Sequence, residues 1–416
     1  MPIPVIIDTD PGVDDTIAIL LALASSELQV LAYNVSYGNT DLEAAYRNIF
    51  KVYEAIAKQV EGNFAGAAAF ERALNGPKPI LAKGPERPLH GEIHHAQYFH
   101  GKDGLGDISD RHPELNLSFE SETLNRHPHL EITDRSAVDV SLDILRNEAP
   151  RSVTYIALGP LTNLALMMQR EPATVRERIG QVVCMGGALD VPGNTSAAAE
   201  FNFFADPFAV KQLLFPNKGE QGLPLDRFIM LPLDITTPHE LPFPVYQARV
   251  DRAFHNTQTS SVALGKPPVT HFTSSFLERT REIMLQFGKD AMELHDIVAV
   301  WCATENPPAP EHGARTLSPG WLLNYRIFQV ERHGEHTRGM LVVDRREDVS
   351  AYPLGANRSE AQREPHEGHT GPPKKSASTS TTPDAGGIPC VYGTPGPDIL
   401  LEHLLRRVWG ASAGNE

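Results

Sequence analysis

Short apolar runs alternate with longer amphipathic stretches along the first part of the chain. Val5–Ile7 is an apolar run that ends in Asp8-Thr9-Asp10-Pro11-Gly12, which predicts a buried strand closed by a polar turn. From Val13 to Ala24, Ile17, Ile19, Leu20, Leu21 and Leu23 make the wide apolar face of a helix. Gln29–Val35 reads as the next strand and stops at Ser36-Tyr37-Gly38-Asn39; Asp41–Ala57 has helical periodicity. The alternation returns later, with a helix over Ala137–Glu148, a strand over Val153–Leu158, a turn at Gly159–Asn163, a helix through Met168 and strands at Gln181–Met185 and Phe228–Leu233. Asp290–Cys302 looks helical, Leu322–Val330 and Gly339–Asp344 look like late strands that could pair, and Asp398–Trp409 reads as a closing amphipathic helix. Strand followed by helix, repeated, predicts an α/β fold with a mostly parallel central sheet flanked by helices. In such folds ligands bind beyond the carboxyl ends of the strands, where the polar turns at Asp8–Asp15 and Gly38–Asn39 fall.

Two stretches break this pattern. Residues 108–135 are rich in His, Pro, Glu and Asn and read as a polar insertion. Residues 353–388 carry Pro372-Pro373-Lys374-Lys375 and a Ser/Thr run, a composition too poor in large apolar groups to offset the entropy of ordering. This predicts a low-complexity, disordered insertion inside the chain, because patterning resumes at Pro389–Tyr392. The expected organisation is one domain over residues 1–416 that carries both insertions.

Composition narrows the function classes. The 416 residues are 41% apolar, enough for a substantial core, and 37 Lys and Arg against 52 Asp and Glu give a formal charge of −15. An acidic chain is a poor binder of nucleic acid polymers through phosphate contacts. Three widely spaced cysteines, Cys184, Cys302 and Cys390, suggest neither a disulfide framework nor a zinc knuckle. The opening Met-Pro-Ile-Pro-Val-Ile-Ile-Asp reads as neither a signal peptide nor a membrane span, so a reducing, cytoplasmic compartment and no membrane partner are expected.

The most informative segment is Asp8-Thr9-Asp10-Pro11-Gly12-Val13-Asp14-Asp15. Its four carboxylates in eight positions repel one another unless a cation sits among them. Oxygen ligands suit Ca²⁺ or Mg²⁺. The plainer reading, acids favouring a helix N-terminus, explains one or two of them but not four at a strand end.

This segment resembles the signature of the inosine–uridine preferring nucleoside hydrolases. Further likenesses follow in order: Tyr37-Gly38-Asn39; His100-Gly101 before Gly104-Leu105-Gly106; Leu158-Gly159-Pro160-Leu161-Thr162-Asn163; Met185-Gly186-Gly187; Gly193-Asn194; Ala199-Glu200-Phe201-Asn202 with Asp206-Pro207; and Leu294-His295-Asp296. Each motif alone is weak; the ordered set is specific. The resemblance implies hydrolysis of a small-molecule ribonucleoside to free base and ribose, with Ca²⁺ held by Asp10, Asp15, Asp296 and the main-chain carbonyl of Leu158. The family usually has a hydroxyl residue at that last place, but a main-chain ligand tolerates Leu. It implies that Asp14, Asn39, Asn194, Glu200 and Asn202 hold the ribose. Met185 is similar to a residue near the sugar, although a core methionine at a strand end is an equal reading. A homo-oligomer is implied as well.

The chemistry follows from these parts. N-glycosidic cleavage passes through an oxocarbenium-like sugar that surrounding carboxylates stabilise. A cation acidifies the attacking water, and Asp10 can take its proton as general base. His295 is the natural acid for the departing base. His100 could face the base too, against the reading of a solvated histidine in a mobile loop. Contacts to the base are expected from this loop and from the irregular stretch around 245–290; which base is preferred, nicotinamide riboside included, stays open. Phe201 and Phe203 are expected in the core. Asp8 and Asp10 also mimic the Asp-x-Asp of haloacid-dehalogenase-like Mg²⁺-dependent phosphatases, which would not account for the Ala199–Asn202 or Leu294–Asp296 motifs. A nucleoside-binding protein that has lost catalysis would usually show substituted ligands, whereas every key position is filled here; binding of several nucleosides without turnover would support it. A phosphorolytic enzyme would need phosphate, which a carboxylate-lined site repels.

Overall fold

The structure, a computed structural model, describes residues 1–117, 127–309, 317–344 and 387–412, together with the backbone of Thr379–Ser380. Ten strands form the main sheet. They are β1 (Ile3–Thr9), β2 (Leu28–Val35), β3 (Ile80–Lys83), β4 (Glu131–Ile132), β5 (Val153–Ala157), β6 (Ile179–Met185), β7 (Phe228–Leu231), β10 (Leu322–Arg326), β13 (Thr379–Ser380) and β14 (Ile388–Gly393). Their order across the sheet is β13-β10-β14-β7-β6-β5-β1-β2-β3-β4. Every pairing from β4 across to β14 is parallel; only β10 runs against its neighbours β14 and β13. The mostly parallel sheet expected from the alternation is therefore present, with an antiparallel edge.

Alternate residues of a strand face opposite sides. Val5 and Ile7 of β1 enter one apolar layer and Ile6 enters the other, all three fully buried. Each such side chain contributes on the order of 1.5–3 kcal/mol. The first layer receives the helices Val13–Leu23, Leu42–Glu61, Pro268–Gln286, His295–Glu305 and Pro397–Trp409; the second receives Ala137–Asn147, Thr162–Arg170 and Pro207–Leu214. A strand covered on both faces reads as a continuous apolar run, which is why Val5–Ile7 and Val153–Ala157 are legible in the sequence. No helix among the described residues is long and apolar enough to cross a membrane. All three cysteines are buried free thiols.

The structure differs from the periodicity in three places. Asp290–Cys302 is not one helix. Ala291–Glu293 (β9) pairs antiparallel with Glu240–Pro242 (β8), and the helix starts only at His295. Leu322–Val330 is split: β10 joins the main sheet, while Phe328–Val330 (β11) pairs with Leu341–Val343 (β12) as a separate ribbon. The stretch around 245–290 is only partly irregular: Phe243–Arg249 and Pro268–Gln286 are helices, and residues 250–267 between them are turns and loop. The second buries Thr273 and Ser275, whose hydroxyls donate to the carbonyls of Val269 and His271 one turn earlier. Self-satisfied polar groups on a buried face hide the apolar stripe that periodicity needs. Of the polar insertion at 108–135, residues 118–126 lie outside the described residues; Ile108–Arg111 is a short helix and Pro113–Leu115 a 3₁₀ turn. The low-complexity stretch 353–388 lies outside them too, apart from β13 and its last two residues.

The chain runs outward from β1 through β2 and β3 to β4, then returns to β5 on the other flank of β1. The crevice between the carboxyl ends of β1 and β5 is thus a topological switch point, the usual ligand site of such sheets.

Candidate active site

The turn after β1 and the turn after β5 meet at this crevice. Pro11-Gly12 reverses the chain, and the helix Val13–Leu23 begins at once. Asp15 sits on its first turn and reaches back: its Oδ1 accepts from the Thr9 hydroxyl (2.6 Å) and Asp10 N–H (3.3 Å), its Oδ2 from Gly12 N–H (3.1 Å) and Asn39 Nδ2 (2.8 Å). The turn is thereby closed on its own carboxylate, as an N3 acid closes a helix start. Asp10 is held from the side, its Oδ2 accepting from Asn39 N–H at 2.7 Å. Its carboxylate lies against Gly38 and Gly159; a Cβ at either would come within 1.9 Å of Oδ2 or 2.4 Å of Oδ1. These two glycines are what let β1, β2 and β5 crowd one acid. Beneath, Asp8 faces the other way and accepts from Tyr155 OH and Asn163 Nδ2, both at 2.7 Å.

Asp296, the second residue of the helix His295–Glu305, comes in from the far end of the chain. The carboxylates of Asp14, Asp15 and Asp296 each place an oxygen within 4.8 Å of the other two, and Asp296 is in hydrogen-bonding reach of Asp15. The electrostatics are those of charges lacking a counterion. Burial, then the Asp15 charge, pushes Asp10 well above the ordinary carboxylate range, and the same two causes take Asp14 to about 7. Burial followed by Asp14 and Asp15 raises Asp296 strongly. Asp10 Oδ1 and Asp14 Oδ1 are enclosed with no protein partner. Buried acceptors without donors are costly, so this donor set, all oxygen, fits a hard divalent cation. Asp10 is not in the tightest trio, but its unpartnered oxygen and its Coulombic contact with Asp296 keep it in the cluster.

The remaining residues line the walls. Asn202 Nδ2 donates to the Leu158 carbonyl at 2.6 Å and to the Met185 carbonyl at 3.3 Å, so Leu158, Met185 and Asn202 converge. Glu200 caps the helix Phe201–Ala205, taking the N–H groups of Asn202, Phe203 and Gly187; burial still leaves its pKa raised. Asn194 Oδ1 accepts from Phe201 N–H, which ties the Gly193-Asn194 turn to the same cap. Phe201 and Phe203 are buried, as expected for core residues.

The two histidines have defined surroundings. His100 is not solvated: it is buried at the end of the short helix Gln97–His100, and its Nδ1 accepts from Val13 N–H at 3.1 Å. Burial, then the nearby His295, lowers its pKa to about 3. His100 is therefore a neutral imidazole with its proton on Nε2, a hydrogen-bond donor and not an acid. His295 has both ring nitrogens engaged, Nδ1 with Thr236 Oγ1 (2.8 Å) and Nε2 with Glu293 Oε2 (3.1 Å). Glu293 lies low, at about 2: burial raises it, but His295 and Lys289 outweigh that. Sequence reasoning misses Thr236 and Glu293 because neither lies in a family motif; adjacency of Glu293 to the Leu294-His295-Asp296 run is the only hint.

Known proteins resemble the chain over most of its length. The family described as inosine-uridine preferring nucleoside hydrolase matches residues 5–369. A pyrimidine-specific ribonucleoside hydrolase RihA of Klebsiella pneumoniae is 30% identical over 354 residues, covering 83% of this chain and 89% of that protein. The RihA of Salmonella typhimurium is 31% identical over 351 residues with the same coverage. Among solved structures, the purine-preferring ribonucleoside hydrolase from Gardnerella vaginalis superposes with a TM-score of 0.64 at 21% identity, covering 98% of each chain, which shows the shared fold. The motifs, the crevice that gathers them and these relatives together make the chain a nucleoside hydrolase, a member of the inosine-uridine preferring nucleoside hydrolase family.

Proposed function

We propose that this chain hydrolyses ribonucleosides at the acid cluster with Ca²⁺ as its cation, held by Asp10, Asp15, Asp296 and the Leu158 carbonyl. The observation that carries the reading is the pair of enclosed, unpartnered oxygens on Asp10 and Asp14 beside the converging carboxylates of Asp15 and Asp296. Bound there, the cation would orient the ribose hydroxyls and make the attacking water more acidic. Asp10 takes the proton of that water as general base. Asp14, Asn39, Asn194, Glu200 and Asn202 bind the ribose, and the carboxylates among them stabilise the sugar as it becomes cationic. Met185 borders the sugar. His100 offers its Nε2–H to the substrate. His295 protonates the departing base, for which its ring exchanges the Glu293 or Thr236 contact for the base. We further propose that the chain works in the cytoplasm as a homo-oligomer.

The deciding experiment is a nucleoside panel, uridine, cytidine, inosine, guanosine and nicotinamide riboside, with chromatography of the products and elemental analysis of the protein. Release of free base and ribose without phosphate, with stoichiometric Ca²⁺ and loss of turnover in chelator, is expected. Full turnover in a metal-free preparation, or dependence on phosphate, would overturn it.

A further inference from the structure

Outside the acid cluster, three side chains from the histidine-rich stretch and a distant helix converge. Glu114 Oε1 lies 3.3 Å from His112 Nδ1 and 3.1 Å from His271 Nε2, and all three donor atoms fall within 4.8 Å of one another. Bonds of about 2.0–2.1 Å to a tetrahedral zinc would set its donors about 3.3 Å apart, so both contacts to Glu114 match edges of such a site. The outer nitrogens are held as well. His112 Nε2 faces Glu278 Oε2 at 3.0 Å, and His271 Nδ1 faces Ser261 Oγ at 3.2 Å. Partners of this kind hold the outer proton and turn the other nitrogen's lone pair inward, as they do around zinc-binding histidines. In that tautomer both inward lone pairs meet one carboxylate oxygen, an arrangement that a cation held among the three donors satisfies. The nearby cations do not fill that place: Arg111 engages Glu278 and Glu282, and Lys266 engages Asp251 and Ser261.

We infer that His112, Glu114 and His271 form a second metal site, for a borderline divalent ion of the zinc class, separate from the catalytic cation. Two imidazoles and one carboxylate suit Zn²⁺ better than Ca²⁺. His112 and His271 are buried, while Glu114 is half-exposed and opens the fourth position to a cavity of about 380 Å³ lined by Lys51, Lys58, Lys266 and Phe272 as well as Glu114 and His271. The ion joins the 3₁₀ turn Pro113–Leu115 to the helix Pro268–Gln286, which through Arg279 also holds Asp107, downstream of His100.

Full-length enzyme saturated with Ca²⁺ is dialysed against micromolar Zn²⁺ and, separately, titrated with Co²⁺. The expected result is one Zn²⁺ beyond the catalytic cation and an intense visible Co²⁺ absorption of tetrahedral type. Glu114→Gln and His271→Gln should each abolish both, with nucleoside turnover of Glu114→Gln within about twofold of wild type. Ser261→Ala removes only an outer partner and should weaken Zn²⁺ binding about 10- to 100-fold. Zinc should raise the melting temperature of wild type and leave that of Glu114→Gln unchanged, which separates lost binding from lost folding. No extra zinc on folded wild type, or equal zinc and equal spectra in wild type and both ligand variants, would overturn the assignment.

Discussion

Asp10 carries the heaviest load of any single residue in the proposed reaction. It is base and ligand at once, wedged between Gly38 and Gly159 with one oxygen unpartnered. Asp10→Asn removes the base and a ligand charge together, so turnover should fall by more than the roughly 10²–10⁴-fold of a general base alone, while bound metal falls less than activity. Near-normal hydrolysis by this variant would refute the role. His295→Ala should lower turnover by roughly 10²–10⁴-fold on natural nucleosides, and by less on a nitrophenyl riboside, whose leaving group needs no proton. Equal losses on both substrates would mean that His295 does not act as the acid. Its contacts with Glu293 and Thr236 would then mark it as a positioning group.

At the scale of elements, the site depends on two turns packed closely enough to touch. Gly159 follows β5, and a Cβ there would come within 2.4 Å of Asp10 Oδ1. Gly159→Ala should displace the Asp10 carboxylate and reduce turnover by about 10²-fold, the effect of an ångström-scale misplacement of a reacting group. Calcium affinity should weaken in parallel. A calcium titration and a rate measurement on the purified variant check this; unchanged values would show that the turn relaxes and that the close approach is not needed. Asp15 belongs to this scale too, because its four acceptances stitch β1, the turn and Asn39 into one unit.

At the scale of the whole molecule, folding gathers carboxyls that would not otherwise meet. Asp8 and Asp14 are raised from the ordinary 3.8 to about 7, chiefly by burial. A carboxyl raised on folding binds more protons folded than unfolded. Without the cation it therefore lowers stability as pH rises through the unfolded value, and that loss is fully developed above about 7. Among the proposed ligands, burial and the neighbouring acids raise Asp10 and Asp296 well above the ordinary carboxylate range, so cation binding must expel protons there and calcium affinity should climb as pH rises from the acid side. The increase in melting temperature on adding Ca²⁺ should be larger at pH 8 than at pH 5; an effect independent of pH would contradict the proposed ligands. Replacing residues 356–386 by a short Gly/Ser linker removes the two-residue edge strand β13 and sequence poor in large apolar groups. Loop length changes stability by only about 0.6 kcal/mol per doubling, so melting temperature and turnover should stay close to wild type. Collapse of activity would show that the segment acts on the site.

The sequence by itself determined the sheet interior and the nature of the chemistry. β1, β2, β5 and β6 are legible because strands buried on both faces must be apolar throughout, and Asp8–Asp15 is legible because four clustered acids require a counterion. The helix Pro268–Gln286 and the short strand before His295 were not legible: the first hides its buried face behind hydroxyls satisfied within the helix, and the second exists only through its pairing with Glu240–Pro242. Tertiary structure alone decided the surroundings and reach of the histidines. Burial and the Val13 N–H make His100 a neutral donor, and Thr236 and Glu293 engage both nitrogens of His295. It alone brought His271 across the chain to His112 and Glu114. A residue's type travels with the sequence; its solvation and its partners come from segments far along the chain, and these become neighbours only when the sheet and its two layers close.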